Sequence, residues 1–494
     1  MHIPLLFLFP LVGTALAQGL KGAQINIVKQ RLQEGATHRS AYRSLFAEDH
    51  FLAPHLWHGL GVWELGTRAE ALLELSVPSF SVLTRSLRCP HPSSLDASLN
   101  ASLADVYTIA RNAVAALPPP PSNGTGQPFF LGDSSVGDPA SIGVAVLIAN
   151  WTRLGGEDYA GAATAQIEYL FGPDVPKTSD GAISHRVSQL QLWSDSVFMV
   201  PPFLAFYGLT TNNQSMLQEA YTQIKLYRNY LSDSSANGLW QHIVMGGNGT
   251  DPGHWSTGNA WAAAGMLRVL GTLKCSAFAR NFESQIKDLG NWVSEIHSGM
   301  YPHLQPNGLF KNYADASTSN ATTNSSSIDN FDDASSSALL AATVYHLALL
   351  TGNKTFIPQA ELTRSVLFAM NDTSATAFSP STTSSSSTSS STSTTTSSSA
   401  SSAFARTPHF TSDGWLSPVV DPLNVAAEGS QSPEGEAFAL MLHAAWRDWN
   451  AVDGPASSRM NSAMPRPMAI SGPGLVLLAV VAVVVACTLD DLFV

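Results

Sequence analysis

The stretch HWSTGNAWAAAGMLRVL (residues 254–270) runs from a polar, aromatic start into a segment rich in Ala, Leu, Val and Met. A helix that is apolar on nearly every face must be buried inside the protein. The pattern occurs six times in the chain, and a Trp or a carboxylate stands at nearly every junction. The junctions are Trp63-Glu64, Asp138, Trp193-Ser194-Asp195, His254-Trp255, Asp332-Asp333 and Glu434.

Each apolar segment is followed by a turn and then by an amphipathic segment. Gly155, Gly208 and Gly352 stand at three of these turns, where Gly fits a helix C-cap. Each unit therefore predicts an αα-hairpin. Six such units predict an all-α protein in which one ring of helices surrounds another. The six junctions should then gather at one end, in a cleft lined with Trp, His and Asp.

Composition limits the classes of partner. Lys and Arg number 25 against 37 Asp and Glu, which gives a formal net charge of -12. We expect no nucleic-acid partner, because this charge repels a phosphate backbone and the sequence has no basic stripe. A small anionic ligand in a locally positive pocket stays compatible with the composition. The charged fraction of 13% is more typical of secreted proteins than of cytosolic ones.

The N-terminal residues indicate export. Residues 1–17 form an apolar run that ends in Ala15-Leu16-Ala17, the pattern of a signal peptidase site. They predict a signal peptide and a secreted, extracellular protein; the alternative is a short membrane anchor, because His2 is the only candidate for a basic n-region. Nine glycosylation sequons support export. They begin at Asn100, Asn123, Asn150, Asn213, Asn248, Asn320, Asn324, Asn353 and Asn371.

The C-terminal tail suggests a lipid anchor at the cell surface. Residues 475–487 are apolar but shorter than the roughly 20 residues of a transmembrane helix. Small residues at 461–463 and the spacer at 464–474 fit a glycolipid-anchor (GPI) signal. Asp490 and Asp491 interrupt the end of the tail. A marginal membrane span or an unprocessed tail is therefore the alternative.

The globular domain is predicted at residues 25–450, followed by a linker and the apolar tail at 451–494. A Ser/Thr-rich insertion at 373–403 interrupts the domain; it cannot bury apolar surface, so we expect it to be solvated and to carry O-linked sugars. Cys89 and Cys275 are the cysteines of the domain, and the sequence leaves their pairing open. We expect a monomer.

The stretch LWSDSVFMVPPFLAFYG (residues 192–208) carries the sharpest chemical signal. Asp195 stands beside Trp193 at the start of an apolar helix. Burial against an indole would raise the pKa of its carboxyl toward that of a usable acid. The alternative is that Ser194 or Asp195 is simply a helix N-cap.

Further polar and aromatic residues recur near these junctions. They are His185 in DGAISH, His242 in GLWQH, and Trp255, Asn259 and Trp261 in HWSTGNAW. Indole faces stack on sugar rings, and His with Asn binds hydroxyl groups. A lone His or Trp is more often a core residue, but the recurrence favours a carbohydrate site. No spacing of a zinc motif and no nucleotide-binding loop occurs, so we expect no metal and no cofactor.

In order along the chain, DGAISH, WSDSVFM with PFLAFYG, GLWQH, WSTGNAWAAAGML and GSQSPEGEAFALMLHAAWRDW resemble the six-hairpin glycosidases. The resemblance is closest to glycoside hydrolase family 105, the unsaturated rhamnogalacturonyl hydrolases, in a fungal secreted form. It covers about residues 60–450. It implies an (α/α)6 barrel and a hydrolase that removes a 4,5-unsaturated uronic acid from the non-reducing end of pectin-derived oligosaccharides.

The resemblance also assigns roles to residues. Asp195 matches the general acid/base, and Asp138 is similar in place to the second carboxylate. The residues predicted to bind substrate are Trp193, His185, His242, Trp255, Asn259, Trp261 and Thr257. The chain departs from the family at Thr257, where an Arg usually stands that would pair with the uronate carboxylate. We expect Thr257→Arg to improve affinity for uronate-ended substrates.

Two other functions fit the same residues. The first is a conventional glycoside hydrolase that uses Asp138 and Asp195 on saturated sugars. The second is a catalytically weak carbohydrate-binding protein of the cell wall, which the loss of the Arg at position 257 and the Ser/Thr tract make plausible. All three interpretations have an oligosaccharide as the partner.

Overall fold

The computed structural model describes residues 19–43, 61–84, 95–119, 121, 124–316, 322–323, 326–327, 330–369, 408–421 and 424–454, with backbone alone for 34–43, 322–323 and 326–327. The predicted signal peptide, the Ser/Thr-rich insertion, Cys89 and the apolar tail lie outside these residues. Cys275 is disulfide-bonded. Residues 1–449 form one compact unit, and residues 450–494 form a second, of which 450–454 are described.

The described residues form fourteen α-helices. These are α1 (Gly22–Arg43), α2 (Val62–Ser76), α3 (Ala97–Ser102), α4 (Ala104–Ala115), α5 (Gly137–Ala140), α6 (Gly143–Trp151), α7 (Tyr159–Phe171), α8 (Ser196–Thr210), α9 (Gln214–Leu231), α10 (Ser256–Cys275), α11 (Glu283–Met300), α12 (Ala334–Thr351), α13 (Ile357–Leu367) and α14 (Pro433–Val452).

Short antiparallel strand pairs connect the helices. The strands are β1 (Leu192–Trp193), β2 (Ser232–Asp233), β3 (Leu239–Trp240), β4 (Ile243–Val244), β5 (Phe310–Lys311), β6 (Thr322–Thr323), β7 (Ser326–Ser327), β8 (Asp332–Asp333), β9 (Val419–Asp421) and β10 (Asn424–Gly429). They pair as β1 with β4, β2 with β3, β5 with β8, β6 with β7, and β9 with β10.

Six apolar segments form an inner ring of helices: α2, α6 with its short leader α5, α8, α10, α12 and α14. The helices α2, α6, α8, α10 and α12 pack side by side in this order, and α14 meets α12 where the rings of Tyr345 and Trp449 lie 5.3 Å apart. The helices α4, α7, α9, α11 and α13 pack outside them. The ring closes between its last and first members, because Trp63 Nε1 donates to Glu434 Oε2 at 2.9 Å and Arg447 Nη1 donates to Leu75 O at 2.7 Å. The predicted arrangement of one ring inside another is therefore confirmed.

The inner helices are buried on every side, as their composition predicts. In α10 every residue from Ser256 to Leu273 is buried, and α12 is buried from Ala334 to Leu350. By length and composition α12 could also cross a membrane, but 94% of it is buried in protein, as in the core helix of a soluble domain. At Gly265 a Cβ atom would lie 2.1 Å from Val197 O, so α8 and α10 pack with their backbones in contact.

A buried ion cluster lies between α2, α10 and α12. The Arg268 guanidinium donates to Glu70 at 2.6 Å and also to Glu74, whose second oxygen lies 3.5 Å from His346 Nε2. Burial raises the pKa of Glu74 to about 7, and the positive charge of Arg268 opposes that shift. Arg268 also lies 4.8 Å from the ring of Phe198 in α8. The cluster thus joins four helices of the inner ring: α2, α8, α10 and α12.

The strand pairs bring separate loops together at the end of the ring where the inner helices begin. In the pairing of β1 with β4, Trp193 stands opposite Ile243, and Ser194 N donates to His242 O at 2.9 Å. At the same end, Asn312 Nδ2 donates to Val425 O at 2.7 Å and fixes the β9–β10 hairpin. Residues far apart in sequence therefore meet at this end of the ring.

Candidate active site

A cavity of about 350 Å³ opens where the inner helices begin. It is rich in indole rings and carboxylates. Its lining residues are Trp63, Asp133, Ser134, Asp138, His185, Arg186, Trp193, Asp195, Met199, His242, Trp255, Trp261, Val425 and Glu434. Five of the six sequence junctions contribute a side chain, and the predicted gathering of the junctions is thus observed for those five.

Asp195 occupies the N-cap position of α8 but does not cap it. Its backbone is already helical (φ -58°, ψ -38°), and its side chain makes no capping hydrogen bond. One carboxylate oxygen instead lies 3.6 Å from His242 Nε2 and accepts the Ser194 hydroxyl at 3.2 Å. Burial raises the pKa of Asp195, and the neighbouring His242 opposes the shift. This carboxyl can therefore hold a proton and still face the cavity.

His242 is fixed on all sides. Its ring lies 4.5 Å from the Trp255 ring and 5.5 Å from the Trp193 ring, measured between centroids. Its Nδ1 lies 2.9 Å from Asp251 Oδ2. Asp251 also accepts the Tyr313 hydroxyl. The sequence reasoning missed Asp251, because it precedes Pro and Gly in a loop without a motif.

Asp138 and His185 form the opposite wall. Burial raises the pKa of Asp138, and the negative charges of Asp133 and Asp195 raise it further. Burial, with Arg186 and His242 nearby, lowers the pKa of His185 to about 3. The His185 ring is therefore neutral at ordinary pH, and its 3.9 Å approach to Asp138 is not an ion pair. His185 Nδ1 lies 2.8 Å from the Ser196 hydroxyl, which orients the ring.

Four indoles provide the apolar surface. Trp193 stacks on His185 at 4.5 Å with an interplanar angle of 23°. Trp255 is fixed by a bond from its Nε1 to Asn312 at 2.9 Å. Trp261 packs between Phe198 and Phe438 and forms part of the floor. Trp63 completes the set. Such flat apolar faces with polar groups between them suit a sugar ring.

Two predicted substrate-binding residues do not line the cavity. Asn259 is fully buried; its side chain bonds the backbone of Trp240 in both directions and donates to Trp255 O. Thr257 is also fully buried and donates to Asp333 Oδ2 at 3.1 Å. Both side chains of this first helical turn face neighbouring elements. The expectation that Asn259 and Thr257 contact substrate is therefore corrected. Asn259 fixes the backbone of Trp240 and Trp255, and Thr257 bonds to the carboxylate that begins α12.

Arg186 is a cavity residue that the sequence reasoning missed. Its guanidinium lies 5.4 Å from the Trp193 ring centroid. Among the lining residues that the structure describes, it is the one Lys or Arg side chain. In the sequence, Arg186 could have been recognised as a site candidate because it directly follows His185 in DGAISHR. Arg186 thus places one positive charge at the cavity, from a loop other than the one that carries Thr257.

No group of three or more His, Cys, Asp or Glu side chains that could hold a metal ion occurs in the described part of the chain. The ring nitrogens that face the cavity have Ser or Asp neighbours instead. His185 lies between Ser196 and Ser135, and His242 lies between Asp251 and Asp195. The groups available for chemistry are therefore carboxyls, imidazoles and one guanidinium.

Comparisons with known proteins agree with this geometry. Residues 134–370 match Glycosyl Hydrolase Family 88, and no curated protein matches the chain. A possible member of the GH105 family from Klebsiella pneumoniae subsp. pneumoniae MGH 78578 is a similar solved structure, with a TM-score of 0.57, 13% identity, and 90% of this chain and 99% of that chain covered.

Two further solved structures are similar. A possible GH105 member from Salmonella enterica subsp. enterica serovar Paratyphi A str. ATCC 9150 has a TM-score of 0.56 and 14% identity over 90% of this chain and 99% of that one. A glycosyl hydrolase family 88 protein from Bacteroides vulgatus has a TM-score of 0.51 and 14% identity over 86% and 98%. At such identities the likeness shows the fold alone, and the predicted (α/α)6 barrel is confirmed. The fold is thus a six-hairpin barrel in which residues 134–370 match the Glycosyl Hydrolase Family 88 model, and the protein is a glycoside hydrolase.

Proposed function

We propose that this hydrolase removes a 4,5-unsaturated uronic acid from the non-reducing end of pectin-derived oligosaccharides. The observation that carries the proposal is the position of Arg186. A single guanidinium lies over the Trp193 indole, in a cavity that also presents the partly buried carboxyl of Asp195. A substrate with one carboxylate next to its reacting carbon fits this combination of one cation, one proton donor and a stacking face.

The chemistry follows from the unsaturated bond. In this sugar a vinyl ether joins C4 and C5 to the ring oxygen, so a proton added at C4 leaves an oxocarbenium-like cation at C5. Burial raises the pKa of Asp195, which favours the protonated carboxyl that supplies a proton to C4. Water then bonds to C5 while the Asp195 carboxylate takes one of its protons. The hemiketal at C5 opens, and the linked sugar is released from C1.

Asp138 has a different part in this scheme. Burial and two neighbouring carboxylates raise the pKa of Asp138, so it stays protonated over a wider range of pH than an ordinary Asp. A protonated carboxyl donates a hydrogen bond, which suits it to orient a hydroxyl or the attacking water. A single carboxyl, Asp195, then acts twice, in contrast to glycosidases that divide the work between two.

The test is a pair of matched disaccharides, one with and one without the C4=C5 bond at the non-reducing end. We expect loss of the absorbance of that bond together with release of the second sugar. Cleavage of the saturated compound alone would overturn the proposal in favour of a conventional hydrolase that uses Asp138 and Asp195.

Arg186→Gln sharpens the test. Loss of a charge-assisted bond of about 1.5–3 kcal/mol should raise KM for the unsaturated uronide by roughly 10- to 150-fold. Arg228→Gln is the matched control, since Arg228 lies 5.3 Å from the Trp292 ring on the outer helices and outside the cavity. An equal KM in both variants would remove Arg186 from the proposal.

We further propose that the enzyme acts outside the cell as a monomer, attached through its C-terminal lipid anchor. The signal-like residues 1–17 and the exposed sequon residues Asn100, Asn150, Asn213 and Asn248 support secretion. Deglycosylation of the protein expressed in a eukaryotic host should lower its mass, and a phosphatidylinositol-specific phospholipase should release it from cells. An unglycosylated protein that stays in the cytosol would overturn this.

A further inference from the structure

Behind the cavity, a buried carboxylate contacts the far side of the His242 ring. Asp251 is 5% exposed, and its Oδ2 lies 2.9 Å from His242 Nδ1. The same oxygen accepts the Tyr313 hydroxyl, and Oδ1 accepts Gly253 N at 3.0 Å. The Asp251 backbone pairs with Ile243 in both directions. Asp251 is therefore held rigidly and has no contact with the cavity itself.

The two nitrogens of His242 have different surroundings. Because a carboxylate only accepts, Nδ1 must carry a hydrogen toward Asp251. Nε2 is buried without a hydrogen-bond partner among the described residues, and Asp195 Oδ2 lies 3.6 Å from it. Trp193 and Trp255 block rotation of the ring. Nε2 therefore faces Asp195.

We propose that Asp251 is a positioning residue that, through His242, sets the state in which Asp195 gives and takes its proton. The chain of contacts runs from Tyr313 to Asp251, to His242 and to Asp195. Asp251 fixes the Nδ1–H form of His242, so that Nε2 and the Asp195 carboxyl share one proton. The pair gives its one shared proton to C4 of the sugar and regains one from water, and within the pair that proton passes between Asp195 and Nε2.

The charges around His242 determine the direction of the effect. Asp195 faces it from the start of α8, and Asp251 faces it from the loop after β4. The neutral His185 lies beyond Trp193, and the Tyr313 hydroxyl donates to Asp251. The negative charge of Asp251 favours the protonated form of Asp195. Removal of that charge should shift the proton equilibrium of Asp195 to lower pH.

The inference rests on the proposed role of Asp195 in the reaction. The experiment compares Asp251→Asn with Asp315→Asn. Asn keeps the shape and an acceptor oxygen but loses the charge. Asp315 is the matched control, because its Oδ2 lies 2.8 Å from His254 Nδ1 but outside the cavity lining.

For Asp251→Asn we expect the limb of the pH profile of kcat that reports the Asp195 proton to move to lower pH. We also expect kcat at neutral pH to fall by about 10- to 100-fold, as when the carboxylate that orients a metal-bound imidazole is removed. KM should change little, and Asp315→Asn should keep the wild-type profile. A wild-type profile in Asp251→Asn, while Asp195→Asn is inactive, overturns this inference alone. Full turnover in Asp195→Asn overturns the role of Asp195 itself.

A second measurement does not depend on a variant that folds. In the wild-type protein, nitrogen NMR of the imidazole should show His242 with hydrogen on Nδ1 across the pH range of activity. A neutral ring with its hydrogen on Nε2 alone would overturn the inference.

Discussion

Asp195 and Asp333 both stand directly before a buried helix of the inner ring, but only the Asp333 carboxylate caps its helix. Asp333 has extended backbone (φ -118°, ψ 107°) and caps α12 by accepting from Ser335 N and Ser336 N at 3.1 and 3.0 Å. It also accepts Val420 N and the Thr257 hydroxyl. Asp195 has helical backbone, caps nothing and faces the cavity.

The difference shows that position at a helix start does not make an acid reactive. A carboxylate whose oxygens are filled by backbone donors is held as a structural anion. At α8 the helical backbone already includes Asp195, so Phe198 N bonds to the backbone oxygen of Asp195. The Asp195 side chain therefore makes no capping bond to the helix. Burial without those donors then raises the pKa of Asp195. Asp195, whose carboxyl caps no helix, is therefore the acid suited to proton transfer.

The largest expected effect is that of Asp195→Asn. The amide keeps the shape of the side chain but cannot deliver or take a proton, so turnover should fall by about 10²- to 10⁴-fold. Because Asp195 caps nothing, Tm should stay near that of the wild type. Steady-state kinetics and thermal unfolding check the two halves of this prediction. A large drop in Tm would show that Asp195 stabilises the fold, as Asp333 does.

Asp333→Ala should give the reverse result. The cap contributes about 0.5–2 kcal/mol, and each buried donor left without a partner costs about 1–3 kcal/mol. We therefore expect the free energy of unfolding, measured in denaturant, to fall by roughly 2–4 kcal/mol. The folded fraction should keep the wild-type KM. A variant of normal stability with impaired kinetics would refute the assignment of Asp333 to structure.

Glu436, at the start of α14, is intermediate between Asp333 and Asp195, because only one of its carboxyl oxygens accepts a backbone hydrogen bond. Glu436 is fully buried; one oxygen accepts Leu416 N at 2.5 Å, and the other has no hydrogen-bond partner in the described part of the chain. Burial raises the pKa of Glu436 to about 8, against the opposing effects of Leu416 and Arg31. The folded state thus keeps a proton that the unfolded state loses above about pH 4.5. Stability from this group is full below pH 4.5 and is lost as pH rises through 8.

Glu436→Gln should remove this pH dependence. The amide is neutral at all pH values and keeps an acceptor for Leu416, so Tm should match the wild type near pH 4.5 and exceed it above pH 8. Calorimetry across that range measures the difference. Glu168→Gln is the control, since Glu168 is exposed on α7. Parallel curves for the wild type and Glu436→Gln would show that the pKa of Glu436 is the same in the folded and unfolded states.

The sequence predicts the inner ring well because the signal is redundant. In α10 and α12 the apolar residues cover every face, and no other arrangement buries them. The site is predicted where a residue and its helix start coincide, as at Asp195. It is missed where the pairing of irregular loop segments decides the outcome. Asp251 is placed beside His242 by the bridge between Ile243 and Asp251, and Arg186 is placed beside Trp193 by the turn in which His185 N bonds to Gln191 O.

The smallest expected effect is that of Thr257→Val, which asks whether Thr257 belongs to the substrate or to Asp333. Val has nearly the same shape and removes only the hydroxyl that bonds Asp333 Oδ2. Because Asp333 keeps its other donors, the free energy of unfolding should fall by only about 0.5–1.5 kcal/mol, as measured by chemical denaturation. KM for the unsaturated substrate should not change, since Thr257 is fully buried and outside the cavity lining. A several-fold rise in KM at unchanged stability would instead place Thr257 at the substrate, as the resemblance alone implies.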